Sequence, residues 1–166
     1  MFDAALLQSL LEASPRVARA ALRSLAKLDP TGAHVTLMEK LGDSRPGVQR
    51  EALGLIDKRL SEADAAKLRQ QWRASPKNRR PIALAMLRLP NWLALQLLLD
   101  GAFDDPLVVE QPLLRWRPES RRGYAPTRPS DQVGKDLRRA FAGASSVLPA
   151  EISKRIDKDL TQWAGV

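Results

Sequence analysis

Apolar residues along this chain recur at three- and four-residue spacing, in short segments punctuated by proline. Ala18, Ala21, Leu22, Leu25 and Leu28 share one side of a helical wheel, and Arg16, Arg23 and Lys27 share the other. That spacing predicts a helix over 16–28 that packs on one face only. The same reading gives first helices over 2–13, 33–41, 62–73 and 91–99, and second helices over 47–60, 79–89 and 107–116. In the third pair Ile82, Ala85, Met86 and Leu89 form the apolar stripe. Two more helices follow, over 131–141 and 149–163, the latter carrying Ile152, Ile156, Leu160 and Trp163 on one side. No stretch alternates with period two, so the pattern predicts an all-α chain.

The helices are marked by their turns. Ser14 stands at an N-cap position with Pro15 at the first helical position, where the missing N–H costs nothing. Ser61 precedes Glu62 and Asp64, a cap with acids in the first turn, and Ser130 stands where it can cap the helix over 131–141. The stretches 29–32 and 42–44 have turn composition. Pro81 fits a helix only if that helix starts near Arg79, with Asn78 as its cap.

Pro15, Pro46, Pro76 and Pro106 are nearly evenly spaced, and aligning them superposes Arg19, Arg50 and Arg80. A period of about 30 residues built from helix pairs is the signature of an α-solenoid. The run Val17-Ala18-Arg19-Ala20-Ala21-Leu22 and its partner Val48-Gln49-Arg50-Glu51-Ala52-Leu53 resemble the second helix of a HEAT repeat in its short bacterial form. The resemblance covers residues 1–116; in the fourth unit Glu110 replaces the arginine and Pro112 interrupts the helix. It implies a right-handed α-solenoid of about four HEAT-like helix pairs, used as a scaffold or binding surface. The expected organisation is 1–117 repeats, 118–130 an Arg/Pro-rich loop and 131–166 a helical cap, together one compact domain.

Composition narrows the setting. With no cysteine there are no disulfides or thiolate metal sites, which fits a reducing, cytoplasmic compartment. Residues 1–7 carry Asp3 and no basic residue, unlike a signal peptide, and the most apolar stretch is far too short to span a membrane.

Charge changes the picture more. The formal net charge is +8, unevenly placed. From Ala65 to Leu99 there is no acid, while Lys67, Arg69, Arg73, Lys77, Arg79, Arg80 and Arg88 are all basic. Such a field concentrates polyanions or acidic protein surfaces, although an arginine-rich solvated face gives the same composition. Arg115, Arg117, Arg121, Arg122 and Arg128, with Tyr124 between them, mix bases with an aromatic. That mixture suits a protein interface or phosphate contacts with base stacking. Trp116 is in register with core positions and is expected inside.

Arg19, Arg50 and Arg80 read as a structural ladder bridging neighbouring repeats. Lys27, Lys58 and Arg88 align near helix C-termini, where a cation complements the dipole and can also follow an acidic surface. Catalytic chemistry is thinly represented. His34 is the single histidine and has no recognisable partner in sequence, and there is no metal-spaced cluster or phosphate loop. Asp100, Asp104, Asp105 and Glu110 form a small acidic group, with Asp105 placed to cap. Trp72-Arg73 with Arg79-Arg80 loosely resembles HEAT-like alkylpurine DNA glycosylases, a family that also needs an acid beside its aromatics. This stretch has none.

The expected function is therefore a non-enzymatic module that docks an acidic protein surface, without cofactor or metal. The alternative is a nucleic-acid-binding protein using the same charges.

Overall fold

The computed structural model describes residues 4–57, 59–118 and 128–164. Among these residues the fold is all-helical, with no strand. The chain divides into two compact units, 1–85 and 86–166, so the last two helices share a unit with the fourth pair.

In the first unit, α1 (Ala4–Ser9) runs into a 3-10 turn, Leu10–Glu12, and both pack on α2 (Pro15–Leu28). Helix α2 also packs on α3 (Pro30–Lys40) and on α4 (Pro46–Leu55), and α3 packs on α5 (Glu62–Ala74). A 3-10 turn over Pro76–Asn78 leads into α6 (Arg79–Met86), in which the unit ends. The buried face of α2 is Ala18, Ala21, Leu22 and Leu25, as its spacing predicts; Leu28 is exposed because the helix ends there.

Polar contacts in this unit repeat at the sequence period. Gln8 Nε2 donates to Thr36 Oγ1 (3.1 Å), Lys40 Nζ to Glu12 Oε1 (2.5 Å) and Arg23 Nη1 to Glu51 Oε2 (3.1 Å), each joining residues 28 apart. Gln71 Nε2 donates to the Met38 carbonyl (2.6 Å) and Asn78 Nδ2 to that of Gly42 (2.9 Å), separations of 33 and 36. Each helix pair is thus bonded to its neighbour in sequence.

Several boundaries differ from the pattern. The 29–32 stretch is not a free turn: Asp29 caps α3, its Oδ1 accepting the Gly32 N–H at 2.8 Å, with Pro30 opening the helix. A Cβ at Gly32 would lie 2.1 Å from Asp29 Oδ2, so a side chain there would push the Asp29 carboxylate out of its capping position. Helix α4 ends at Leu55, not at 60, and the chain turns extended at Ile56. A helix reaching 60 would run straight into the Ser61 cap of α5 and leave no residues for the turn; Ile56 and Leu60 are buried within it instead.

In the second unit, α7 (Asn91–Asp104) continues through Gly101, which is buried, beyond the predicted end at 99. It packs on α8 (Pro106–Arg115) and α9 (Asp131–Ala144), and α8 also meets α10 (Ala150–Asp159), which widens into a π-type turn over Leu160–Ala164. Pro112 does not interrupt α8. It lies buried inside the helix, which continues to Arg115. Trp116 is buried, its ring 5.8 Å from that of Trp92 and its Nε1 donating to the Asn91 carbonyl at 2.9 Å.

Candidate functional site

Of the residues singled out for binding, Lys58, Arg121, Arg122 and Tyr124 lie outside the described residues. The others fall in two groups, one per unit.

In the first unit Lys27 is exposed in the last turn of α2, where its charge meets the negative helix end. The aligned arginines occupy different settings. Arg50 and Arg80 are exposed, whereas Arg19 is half-buried beside the start of α4, where a Cβ at Gly47 would lie 3.7 Å from Arg19 Cδ. Arg45, outside the aligned set, bridges helix pairs through backbone carbonyls. Its Nη1 donates to the Ala13 carbonyl (2.6 Å) and its Nη2 to that of Leu11 (2.8 Å), while Nε and Nη2 also hold Asp43 at 2.8 and 2.7 Å. A sequence signal for this existed. Arg45 occupies the position held by Ser14, Ser75 and Asp105 in the other units, and an arginine cannot accept the helix N–H bonds those residues can.

The acid-free stretch supplies several exposed bases. Arg69, Arg73, Lys77 and Arg80 are exposed around the C-terminal end of α5, with Lys67 half-buried on the same helix. Arg73 and Lys77 are four residues apart, and neither they nor Arg80 form a salt bridge among the described residues. Arg79 has another task. Its guanidinium carbon sits 5.0 Å over the Trp72 ring and its Nε donates to the Trp72 carbonyl at 3.3 Å. Trp72 is itself buried, so it is not presented for stacking on a base.

In the second unit Arg115 is exposed in the last turn of α8, Arg128 is exposed ahead of α9, and Arg88 is half-buried two residues past α6. Arg117 is also exposed, but its Nη1 donates to the carbonyls of Leu114 (2.7 Å) and Trp116 (2.8 Å), closing the end of α8. Arg155, which sequence reasoning passed over, does the same from α10: it donates to the Trp116 carbonyl at 3.0 Å and to that of Leu113. Its place next to Ile156, at the edge of the apolar stripe, was the available signal.

His34 has a partner 30 residues away that no local pattern reveals. Its Nε2 lies 2.8 Å from Asp64 Oδ1, between α3 and α5. Asp64 also accepts the Ser61 N–H (2.9 Å) and Oγ–H (2.8 Å) in a capping box. Burial pushes the Asp64 carboxyl up, but the bonds from His34 and Ser61 outweigh it and hold the group below the usual aspartate range. With both carboxylate oxygens engaged, Asp64 orients the histidine and ties two helix pairs together. No group of three or more metal-ligating side chains occurs among the described residues, and no described helix is long and apolar enough to cross a membrane.

Comparison with protein-family models, with curated proteins and with solved structures gives no match. The class that can be stated is an all-helical protein.

Proposed function

We propose that the chain is a HEAT-like module of stacked helix pairs, an α-solenoid that docks an acidic protein surface and performs no chemistry of its own. The repeating bonds between successive helix pairs of the first unit support the stacking, since each pair contacts its sequence neighbours. A cytoplasmic setting fits the absence of cysteine.

The observation that carries the docking is the group of exposed Arg73, Lys77 and Arg80, with no acid anywhere in residues 65–85 of that unit. Two other cations on the unit are paired, Arg23 with Glu51 and Lys40 with Glu12. Arg73, Lys77 and Arg80 have no such neighbours, and a group of like charges of this kind attracts a negatively charged partner and orients it before contact. Against a nucleic-acid partner, the aromatic in this stretch is buried beneath Arg79, leaving charge without a stacking platform.

A pull-down from native cell extract with the full chain and with an Arg73→Ala, Lys77→Ala, Arg80→Ala variant tests this. The wild type retains an acidic protein that the variant loses. Retention of nuclease-sensitive nucleic acid, or equal capture by both, contradicts it.

A further inference from the structure

Arg19 is a half-buried cation to which the fold gives no partner among the described residues. Its Nε is wholly enclosed and donates no hydrogen bond, and its side chain enters no ion pair. The guanidinium lies along the start of α4, where a Cβ at Gly47 would be 3.7 Å from Arg19 Cδ, 3.9 Å from Nε and 4.0 Å from Nη1. One turn further along the same seam, Arg23 Nη1 meets Glu51 Oε2 at 3.1 Å. In both places a residue of α2 stands beside the residue 28 later on α4, so the packed helices keep one register. Glu51 is the sole acid in these two helices, and Arg23 holds it.

Two more cations flank Arg19. Arg50 follows Gly47 by three residues and precedes Glu51, which places it between the two seam contacts, and Arg16 precedes Arg19 by three residues on α2. Both are exposed, and neither forms a salt bridge among the described residues. Arg45, the N-cap residue of α4, shows what a part-buried arginine does when acceptors are at hand: it bonds two carbonyls and Asp43. Arg19 is withdrawn from water without that compensation, and a carboxylate meeting its planar fork supplies it. Helices α2 and α4 hold no aromatic residue, so no base-stacking surface accompanies these charges.

We infer that the α2–α4 seam docks an acidic segment of a partner protein, one carboxylate seating on the Arg19 guanidinium beside Gly47 and neighbouring acids meeting Arg16 and Arg50. Gly47, without a side chain, leaves that seat uncovered. The half-buried fork fixes where the segment lies, and the exposed arginines attract it. This surface shares no residue with Arg73, Lys77 and Arg80, and it stands whether or not that group docks a partner.

The test measures binding of a synthetic Glu/Gly peptide to the full chain carrying Arg73→Ala, Lys77→Ala and Arg80→Ala, so that the other basic group contributes nothing. The peptide binds saturably. Adding Gly47→Asp puts a carboxylate of the chain's own in the seat, where the Cβ makes only ordinary contact with Arg19. It weakens the peptide by about tenfold or more, the scale of a lost anchor residue. The melting temperature does not fall, since an acid in the first turn suits the helix dipole. Arg19→Lys, which keeps the charge, loses the fork and leaves α4 untouched, also weakens the peptide. Gln70→Glu makes the same charge change as Gly47→Asp at an exposed position of α5, and it leaves the affinity nearly unchanged. Equal weakening by Gly47→Asp and Gln70→Glu would mean that net charge alone attracts the peptide, and overturns the inference. So does an absence of peptide binding in this background, a result that leaves the proposed docking at Arg73, Lys77 and Arg80 standing. If Gly47→Asp and Arg19→Lys weaken a single-stranded oligonucleotide and not the peptide, the seam belongs to phosphate, and the inference is overturned.

Discussion

Arg45 Nη1 donates to the carbonyl oxygen of Ala13 at 2.6 Å, joining the N-cap position of α4 to the end of the first helix of the preceding pair, 32 residues earlier. The same guanidinium reaches Leu11 and holds Asp43, so one side chain closes an otherwise open helix end and fixes the turn that starts the next pair. Arg45→Ala should destabilise the protein by roughly 1–3 kcal/mol, because it strands part-buried carbonyls and a carboxylate. Arg45→Lys should recover only part of that, since an ammonium cannot reproduce the planar fork. Denaturant titration of the three proteins measures it; equal stability would mean the pairs are held by apolar contact alone.

Leu22 is wholly buried on α2, whereas Leu53 on α4 is only half-buried. Leu22→Ala should cost about 2–5 kcal/mol, and Leu53→Ala clearly less. The sequence alignment treats the two leucines as equivalent. The structure separates them because α4 leaves the helix after Leu55 and buries Ile56 in that turn.

Acid should weaken the first unit. Hydrogen bonds from Arg45 hold the Asp43 carboxyl below its usual range against the opposing effect of burial, and Asp64 is lowered by His34 and Ser61 despite burial. A group whose folded pKa lies below its unfolded value stabilises the fold above the unfolded pKa, and that stability is lost as pH falls through the folded one. Melting temperature should therefore be steady near neutrality and fall below about pH 4, where unfolded aspartates take up protons. Asp43→Asn should melt lower at neutral pH and show a shallower acid decline. A decline as steep as the wild type's would place the acid sensitivity elsewhere.

Helix existence was legible because apolar spacing and turn prolines agree: Pro15, Pro46 and Pro106 each open a helix, and Pro76 opens the turn before α6. Ends were less legible where one composition serves two structures. Asp29-Pro30 reads as a turn yet is also a cap followed by a first helical residue, and the helix expected over 91–99 continues through the buried Gly101 in α7. The basic group was visible as charge, since an acid-free run needs no geometry to be seen. The His34–Asp64 pair and the Phe103–Gly143 contact were not, because both depend on how helices distant in sequence are set against each other.

The central claim is that the basic face is made for an acidic protein and not for a phosphate backbone. Binding of the full chain to heterologous duplex and single-stranded DNA, measured across a salt series, tests it most directly. The account predicts no saturable binding of either at low salt, and no difference between the wild type and the Arg73→Ala, Lys77→Ala, Arg80→Ala variant. Tight binding whose affinity falls linearly with the logarithm of salt, with a slope reduced by about 0.9 for each cation removed on duplex DNA, would contradict it and identify a nucleic-acid-binding surface.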